Sequence, residues 1–396
     1  MSRFLFVVPP LTGHVNPAAA VAAELGARGH EVAWAGRPEV VGRLVEERRP
    51  LVYACAGPDG IGGRPPELRG VAALKFLWAR FLGPLAEAMA PGVAAAVTDF
   101  RPDVVVADQQ TVAGALVAER LGVPFATSST TSAELTDSMA GMPGVHSWLT
   151  GLLHELRQRI GDPAATHDPR FSPLLTLAFT TPELTGPYTT PDTDLRFVGP
   201  ALAARRSATG DFPWPWLDLA PGTPAVLITL GTANTDAGGR FLAESVAAVR
   251  ARAARLRAVV CDPGGLLGPV PPEPGLLVAA ELPQVALLER MSAVVCHAGH
   301  NTVTEALWHG VPLVVAPIRD DQPVVAAQVV GAGAGVRVKF ARAGREQIGA
   351  ALDAVVTGPG HRDAARRIRD AFRAAGGESA AATCLEKLAA AEQPRQ

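Results

Sequence analysis

One segment in the second half of the chain carries side chains suited to binding a phosphate. A buried apolar run, Ala293–Cys296, leads into His297, and a helix is predicted to open at Asn301 and Thr302. A helix start presents several unpaired backbone N–H groups and a partial positive charge, so it favours an anion. Gly299 lets the backbone approach such a ligand closely, and the three polar side chains add hydrogen-bond donors. The segment therefore predicts a phosphate site.

The residues that follow are suited to hydroxyl groups. Glu305 comes one helical turn later, where its carboxylate can accept hydrogen bonds from ribose hydroxyls. Asp320, Asp321 and Gln322 follow the next predicted strand and suit the hydroxyls of a sugar. A purely structural interpretation also exists, because Thr302 and Glu305 have the spacing of a helix capping box. Taken together, the two clusters favour a ligand with both a phosphate and a sugar.

A second candidate site lies near the N-terminus. The predicted strand Phe4–Val8 is followed by a loop that contains His14, and Asn16 is predicted to cap the next helix. Asp108 follows another predicted strand, Asp103–Ala107. Parallel strands carry their loops to the same edge of a sheet, so the carboxylate can orient the imidazole. Since histidine titrates near ~6.5, the pair suits general base catalysis, although a lone loop histidine is often only a solvated side chain.

The elements that must position these residues follow an alternating pattern of strands and helices. In the first half they are predicted at Phe4–Val8, Glu31–Ala35, Asp103–Ala107, Val112–Leu121 and Val123–Ala126. In the second half the predicted strands are Ala225–Leu230, Arg257–Cys261, Ala293–His297 and Pro312–Pro317. Alternation of this kind predicts the α/β class, with two doubly wound parallel sheets that carry helices on both faces.

Composition along the chain predicts the domain boundaries. The stretch 201–216 is rich in Gly, Pro, Arg and polar residues and is interpreted as a linker. It separates a first domain over 1–200 from a second over 217–376. A C-terminal helix is predicted over 377–396, and packing back against the first domain is one arrangement open to it.

Charge and hydrophobic content exclude several classes of partner. The 396 residues include 36 basic and 38 acidic side chains, so no charged stripe argues for nucleic acid or an anionic membrane. No stretch approaches the roughly 18 uninterrupted apolar residues of a membrane span. The apolar run Phe4–Leu11 lacks a signal-peptide cleavage site. We therefore expect a soluble, cytoplasmic protein without membrane insertion.

Over about fifty residues, the chain resembles the nucleotide-sugar signature of metal-independent glycosyltransferases with the GT-B fold. The matching stretches are Leu282-Pro-Gln, Cys296-His-Ala-Gly-His-Asn-Thr-Val-Thr-Glu305, Gly310-Val-Pro and Asp320-Asp-Gln322. This family contains plant secondary-product glycosyltransferases and bacterial macrolide and antibiotic glycosyltransferases. The resemblance implies two Rossmann-like domains that face each other across a cleft, the first binding the acceptor and the second the nucleotide sugar.

The resemblance also implies a role for each candidate residue. The catalytic pair is His14, from Gly13-His14-Val-Asn-Pro17, and Asp108, from Pro102-Asp103-Val-Val-Val-Ala-Asp108. The implied contacts to the donor diphosphate are Thr232, His297, Gly299, Asn301 and Thr302. The remaining donor contacts are Glu305 for the ribose, Leu282 and Gln284 for the base, and Asp321 and Gln322 for the sugar.

Neither a metal ion nor another cofactor is expected beside the nucleotide sugar. The helix start and His297 can neutralise a diphosphate without a divalent ion. Asp192-Thr-Asp194 matches a metal-binding DxD motif, but it lies in a Pro-rich loop and is interpreted as exposed surface. Glu281 stands where many relatives have a base-stacking Trp, so UDP and dTDP donors both stay open. Glu305 favours a UDP-hexose.

The predicted function is inverting glycosyl transfer in natural-product or antibiotic biosynthesis. A hexose or deoxyhexose would move from the nucleotide sugar to a hydroxyl of a small apolar aglycone, such as a polyketide, macrolide or phenol. Two alternatives are a catalytically silent partner of another glycosyltransferase and a nucleotide-sugar epimerase. A monomer and a homodimer are both compatible with the sequence.

Overall fold

The computed structural model describes residues 1–45, 50–58, 60–65, 67–136, 141–189, 193–202, 212–219, 222–231, 238–271 and 273–392. The chain divides into two compact units. The first comprises Met1–Thr181, Pro187–Arg205 and Ala375–Gln396, and the second comprises Pro182–Gly186 and Arg206–Ala374. The chain thus leaves the first unit twice and returns to it with its last helix.

Two segments near the boundary lie elsewhere than the sequence places them. Pro182–Gly186 falls within the predicted domain 1–200 but belongs to the second unit, where Leu184 is buried in the apolar core. Phe212 falls within the predicted linker 201–216 but is buried in the same core, with its ring 4.8 Å from that of Trp214. Burial of these apolar side chains ties both segments to the second unit.

The first unit is built on a parallel sheet. Within the described residues it has seven strands in the order β3-β2-β1-β4-β5-β6-β7. Their bounds are β1 Arg3–Val7, β2 Glu31–Gly36, β3 Leu51–Ala54, β4 Val104–Asp108, β5 Phe125–Ser129, β6 Thr176–Ala178 and β7 Leu195–Phe197. Because β1 and β4 are neighbours, with Val7 opposite Ala107, the loops that follow them leave the same edge of the sheet.

Helices cover both faces of this sheet. Those in the main part of the unit are α1 Thr12–Ala27, α2 Pro38–Leu44, α3 Gly70–Leu77, α4 Gly83–Phe100, α5 Val112–Leu121 and α6 Pro143–Ile160. The small residues of α1 pack with Phe4 and Phe6 on one face, and Leu5 and Val7 pack with α4, α5 and α6 on the other. Strands buried on both faces explain the continuous apolar runs in the sequence.

Helix α1 begins at Thr12, so the prediction that Asn16 caps it is wrong. The first turn is closed by the backbone, because the N–H groups of His14 and Val15 both donate to the carbonyl of Leu11, at 2.9 and 3.2 Å. Asn16 is buried inside the helix. His14 therefore lies on the first turn of a helix and not in a loop.

Strand β5 extends further than its sequence predicts. The predicted run Val123–Ala126 ends at the last apolar residue, whereas the strand continues through Ser129. The hydroxyl side chains of this extension are buried, and two of them find partners. Oγ1 of Thr127 accepts a hydrogen bond from the backbone N–H of Ser172 at 2.8 Å, and Oγ of Ser129 donates to Oε1 of Gln109 at 3.1 Å. A hydrogen-bonded polar group can be buried at little cost.

By length and composition, one helical stretch among the described residues, Gly70–Phe100, is able to span a membrane. It consists of α3, a π-helical turn over Trp78–Leu82 and α4. More than half of its most apolar window is buried inside the protein. Phe81, Leu85 and Met89 lie in the core beneath the sheet, as is typical of a core helix.

The second unit repeats the same architecture. Its described residues form a six-stranded parallel sheet in the order β10-β9-β8-β11-β12-β13. The strands are β8 Ala225–Thr229, β9 Arg257–Cys261, β10 Leu276–Ala279, β11 Ala293–Cys296, β12 Leu313–Val315 and β13 Gly335–Arg337. Its helices are α7 Pro182–Thr185, α8 Pro215–Asp218, α9 Gly239–Arg250, α10 Gln284–Leu288, α11 His300–Trp308, α12 Gln322–Gly331, α13 Arg345–Thr357 and α14 Pro359–Ala375. Two doubly wound parallel sheets confirm the predicted α/β class.

The last helix, α15 Gly377–Glu392, packs on α1 in the first unit. Leu385 and Leu388 join the apolar core on that face of the sheet. Arg28, which follows α1, donates from Nη1 to Oε2 of Glu386 at 2.8 Å, and Nε2 of His30 lies 2.9 Å from Oε1 of the same carboxylate. Apolar burial and this pair of ionic contacts attach the C-terminus to the first unit.

Candidate active site

His14 and Asp108 are in direct contact at the carboxyl edge of the first sheet. Nδ1 of His14 lies 3.0 Å from each carboxylate oxygen of Asp108. The aspartate side chain is 1% exposed, whereas the histidine side chain is 16% exposed. The Asp108 carboxylate is thus the buried partner of the pair, whereas the imidazole ring is partly exposed to solvent.

The position of Asp108 follows from the geometry of β4, of which it is the last residue. Its Oδ1 also accepts a hydrogen bond from the backbone N–H of Gln110 at 2.9 Å. A buried carboxylate that accepts several hydrogen bonds stays in one orientation. An imidazole held through Nδ1 in this way has Nε2 as its basic nitrogen.

Thr130, which the sequence analysis did not single out, completes this cluster. Its Oγ1 lies 2.7 Å from Nδ1 of His14 and donates to Oδ2 of Asp108 at 2.9 Å. The available signal was the hydroxyl-rich run 127–132, which directly follows the predicted strand Val123–Ala126. Such a run at a carboxyl edge marks a candidate site, but it does not say which hydroxyl meets the histidine.

His297 is the centre of the candidate donor site in the second unit. It follows β11 and is 7% exposed, and its Nδ1 is buried without a hydrogen-bond partner in the described structure. Burial lowers the pKa of this imidazole to about 4. The side chain is therefore neutral at physiological pH, so it can offer a phosphate an N–H hydrogen bond rather than a full positive charge.

Two glycines pack closely against the Cε1 and Nε2 atoms of the His297 ring. A Cβ atom on Gly231 would lie 2.6 Å from Cε1 of the ring, and one on Gly299 would lie 2.3 Å from Nε2. Gly231 follows β8 and has a φ of +70°, so both its conformation and its space require glycine. Thr232, predicted from the sequence as a diphosphate contact, lies outside the described residues.

Helix α11 begins at His300, with Gly299 in the N-cap position and His297 just before it. The predicted start at Asn301 is thus one residue late. Thr302 lies inside the first turn and is not the N-cap, so the capping-box interpretation is wrong. Asn301 and Thr302 remain in the first turn, where backbone N–H groups are not used by the helix.

The backbone is strained at two non-glycine residues beside these groups. Ala298 has a φ of +65° and Asp320 a φ of +57°. The left-handed region costs an L-residue about 1–2 kcal/mol. Strain of this kind is concentrated at functional sites, and both residues fall in loops that the sequence predicts to bind the donor.

Glu305 and Gln284 form a buried pair. Nε2 of Gln284 donates to Oε2 of Glu305 at 2.6 Å, and Glu305 is fully buried. The residues predicted for the ribose and the base are thus in contact across 21 positions of sequence. Leu282, the other predicted base contact, is partly buried against the core of the same unit.

The predicted sugar-binding residues lie at the start of α12. Asp321 is the N-cap residue and Gln322 the first residue of the helix. Oε1 of Gln322 accepts hydrogen bonds from the backbone N–H groups of Ile318 and Arg319, at 2.9 and 3.1 Å. Because the amide oxygen of Gln322 already accepts these two hydrogen bonds, the amide NH₂ group is the part of this side chain that can donate to a ligand.

No group of three or more His, Cys, Asp or Glu side chains is arranged to hold a metal ion, among the residues that the structure describes. In the predicted DxD look-alike, Asp194 forms an exposed ion pair with Arg196 at 2.8 Å. Asp192 lies outside the described residues.

Comparison with known proteins places the chain among transferases. A family model described as UDP-glucoronosyl and UDP-glucosyl transferase matches residues 271–371. The chain is 32% identical to the 4'-demethylrebeccamycin synthase of Lentzea aerocolonigenes over 416 aligned residues, which cover 94% of this chain and 96% of that protein. It is 29% identical to the demethyllactenocin mycarosyltransferase of Streptomyces fradiae, over 98% of this chain and 87% of that protein.

Solved structures show the same fold. The glycosyltransferase of kitacinnamycin matches with a TM-score of 0.79 and 25% identity, covering 98% of both chains. The calicheamicin glycosyltransferase CalG4 matches with a TM-score of 0.73 and 23% identity over the full length of both chains. Similarity of sequence along nearly the whole chain, together with this fold, shows that the chain belongs to the UDP-glucoronosyl and UDP-glucosyl transferase family of glycosyltransferases with the GT-B fold.

Proposed function

We propose that this glycosyltransferase inverts configuration as it moves a hexose or deoxyhexose from a nucleotide-diphosphate sugar to a hydroxyl of a small apolar aglycone. The observation that carries the proposal is the buried Asp108 carboxylate in contact with the partly exposed imidazole of His14. A base held in this way matches the need to deprotonate an acceptor hydroxyl. The names of the two curated relatives, a rebeccamycin-type synthase and a mycarosyltransferase, support a natural-product acceptor.

The proposed reaction is a single displacement. Nε2 of His14 takes the proton of the acceptor hydroxyl while that oxygen forms a bond to the anomeric carbon of the sugar. The bond from that carbon to the diphosphate oxygen breaks, and its electron pair leaves with the nucleotide diphosphate. Asp108 stabilises the imidazolium that forms and keeps the ring in the Nδ1-protonated tautomer. Attack from the side opposite the leaving group inverts the anomeric centre.

We propose that the start of α11 stabilises the negative charge that develops on the leaving diphosphate. His297, Asn301 and Thr302 lie at or beside this helix start, and Gly299 opens the space for a phosphate. Thr232 is proposed to add a further contact. Preorganised donors at the point where charge develops commonly make the largest contribution to catalysis. They act here with no metal ion or other cofactor in the proposed mechanism, because a helix terminus alone can bind a diphosphate.

The donor nucleotide is proposed to be UDP, with dTDP as the second candidate. The carboxylate of Glu305 accepts hydrogen bonds, and the ribose of UDP has a 2′-hydroxyl that the deoxyribose of dTDP lacks. Because Glu305 is buried under the amide of Gln284, a bound ribose must displace that amide or share the carboxylate with it. Leu282 would contact the base, and Asp321 and Gln322 the sugar.

A nucleotide titration tests the donor assignment directly. UDP and dTDP are titrated into the wild-type protein and into Glu305→Gln by isothermal calorimetry. We expect UDP to bind more tightly to the wild type, and the substitution to weaken UDP binding more than dTDP binding. Equal affinity for both nucleotides, or a dTDP preference that survives the substitution, contradicts the UDP assignment and leaves the glycosyl-transfer proposal standing.

The activity itself is tested with a panel of UDP- and dTDP-sugars against a pooled aglycone library, read by mass spectrometry. A product with the mass of aglycone plus one sugar is expected, and NMR of its anomeric proton should show inversion. A change in the sugar nucleotide that needs no acceptor would instead identify an epimerase. Stoichiometric binding to another glycosyltransferase, with no turnover of any donor, would identify a silent partner.

The remaining assignments follow from the same proposal. The aglycone is proposed to bind among the first-unit loops of residues 55–100 and 130–190, which hold much of the aromatic and Met content of the chain. Reaction with a soluble nucleotide sugar is consistent with a cytoplasmic location, without membrane insertion. Size-exclusion chromatography with light scattering distinguishes the monomer from the homodimer.

A further inference from the structure

One hydroxyl group contacts both members of the proposed catalytic pair. Oγ1 of Thr130 lies 2.7 Å from Nδ1 of His14 and 2.9 Å from Oδ2 of Asp108. The same Nδ1 lies 3.0 Å from Oδ2 of Asp108. The three polar groups thus form a closed triangle, in which each side is a hydrogen-bond distance.

Only one distribution of protons satisfies this triangle. A threonine hydroxyl has a single hydrogen, and here it is donated to the carboxylate of Asp108. The hydroxyl oxygen must then face a donor at Nδ1 of His14, so that nitrogen carries the proton. In the opposite tautomer, a lone pair of Nδ1 would face the carboxylate at 3.0 Å, which is repulsive. Thr130 therefore reinforces the tautomer that makes Nε2 the basic nitrogen.

The position of Thr130 is itself well determined. It directly follows β5 and is 4% exposed, so the surrounding protein limits its rotamers. The neighbouring strands fix its register, because Ser128 lies opposite Asp108 and its carbonyl accepts the backbone N–H of Gln109 at 3.0 Å. Nothing in the proposed chemistry requires the hydroxyl to react, so its role is to hold the other two groups.

We propose that Thr130 is a positioning residue of the His14–Asp108 pair, whose hydroxyl accepts the Nδ1 proton of His14 and orients the Asp108 carboxylate. This role deepens the proposed function and rests on His14 as the general base. Removal of the hydroxyl leaves Nδ1 with the carboxylate as its partner and leaves one lone pair of the carboxylate without its donor. The imidazole then loses part of its orientation, and a misplaced base lowers turnover more than it lowers donor binding.

Three variants separate this role from a merely structural one. Thr130→Val removes the hydroxyl at nearly constant shape, Thr130→Ser keeps it, and Thr127→Val removes the hydroxyl of a nearby residue on β5, which is also buried and accepts the N–H of Ser172 at 2.8 Å. With a donor and aglycone from the panel, we expect Thr130→Val to lower kcat about tenfold with the KM for the donor within about twofold. Thr130→Ser should restore most of kcat, and Thr127→Val should keep it.

Loss of kcat in Thr127→Val equal to that in Thr130→Val, or failure of Thr130→Ser to restore it, overturns the proposal. Unchanged kcat in Thr130→Val does so as well. Thermal unfolding of each variant is measured alongside, and Thr130→Ala, which also removes the hydroxyl, replaces Thr130→Val if that variant does not fold.

A second readout needs no turnover. Full-length protein labelled with ¹⁵N at histidine is examined by two-dimensional NMR, and the His14 signals are those absent from His14→Gln. We expect all three proteins to keep the proton on Nδ1, because the Asp108 carboxylate still faces it at 3.0 Å. The Nδ1 signal of Thr130→Val should shift and broaden relative to wild type and Thr130→Ser, because the imidazole has lost one of its two hydrogen-bond partners. An unchanged spectrum in Thr130→Val overturns the positioning role. If no donor and acceptor react with the wild type, the proposed function fails, while the NMR comparison still decides the role of Thr130.

Discussion

A Cβ atom on Gly299 would lie 2.3 Å from Nε2 of His297, far inside van der Waals contact. The glycine at the N-cap of α11 and the buried imidazole before it thus occupy one tightly packed space. Gly231 also confines the His297 ring, since a Cβ atom on it would lie 2.6 Å from Cε1. The imidazole can therefore keep this orientation only because neither Gly231 nor Gly299 has a side chain.

This relationship predicts that Gly299→Ala weakens donor binding. The added methyl group must displace the His297 ring, so its proposed hydrogen bond to the diphosphate is lost, and hydrogen bonds to charged groups contribute about 1.5–3 kcal/mol. We expect UDP to bind at least about tenfold more weakly by isothermal calorimetry. Gly331→Ala is the matched control, because Gly331 ends α12 in the same unit with open space around it. Equal affinity of Gly299→Ala and wild type for UDP would show that the ring does not contact the nucleotide.

Stability at low pH is predicted to depend on His297. Its pKa is lowered by burial to about 4 in the folded protein, against 6.5 for an ordinary histidine. As the pH falls from 6.5 to 4, the unfolded chain takes up a proton that the folded chain does not, so folding loses stability over this window. A difference of this size corresponds to roughly 3 kcal/mol across the full window.

The measurement compares thermal unfolding of wild type and His297→Gln at pH 7 and pH 4.5. We expect the midpoint of the wild type to fall more steeply than that of the variant, because glutamine does not titrate. His154→Gln, at an exposed position on α6, should fall in parallel with the wild type. Parallel curves for wild type and His297→Gln would contradict burial of a neutral imidazole.

Removal of the proposed general base, His14, should separate turnover from donor binding. His14→Ala is expected to lower kcat by about 10²–10⁴-fold, while UDP binding stays within about twofold of the wild type, because His14 is assigned to the acceptor hydroxyl. Asp108→Asn should also lower kcat, since its amide no longer stabilises the imidazolium. Steady-state kinetics and calorimetry check both, with exposed His154→Ala as the control. Full activity of His14→Ala would remove it from the role of base.

A buried ionic cluster beside the catalytic strands is predicted to be important for stability. Nη1 of Arg170 donates to Oε2 of Glu134 at 2.9 Å, and its Nη2 donates to Oδ2 of Asp168 at 2.6 Å. Burial alone would lower the pKa of Arg170, but the two carboxylates raise it above its usual value. Burial raises the pKa of Glu134 despite the guanidinium, so this carboxylate depends on Arg170 for its charge.

Arg170→Ala removes a buried guanidinium and leaves its two carboxylate partners, whose side chains are 17% and 23% exposed, without it. We expect it to cost about 3–5 kcal/mol of unfolding free energy, as is usual when one member of a buried ion pair is removed. Arg159→Ala is the matched control, because Arg159 pairs with Glu87 on the surface and an exposed pair contributes at most about 1 kcal/mol. Urea denaturation of both variants gives the comparison, and similar losses for the two would contradict the special status of the buried cluster.

Local sequence patterns were sufficient to predict the α/β class and to identify most of the candidate residues. Apolar runs followed by glycine and polar residues are local patterns, and they placed His297 and Asp321 at the carboxyl ends of strands in the second half of the chain. The expectation that His14 and Asp108 meet also came from sequence, because neighbouring parallel strands deliver their following residues to one edge of the sheet. These inferences need only the direction and order of the strands.

The contacts that hold each side chain in place became visible only in the folded structure. Thr130 meets His14 across 116 positions of sequence, and no local pattern distinguishes its hydroxyl from the neighbouring ones. The start of α1 at Thr12 depended on hydrogen bonds to the carbonyl of Leu11, and the Asn-Pro pair after it gave a false start signal. The neutral state of His297 likewise depends on burial by distant segments. Contacts between side chains depend on packing in three dimensions, which the spacing of residues along a chain does not encode.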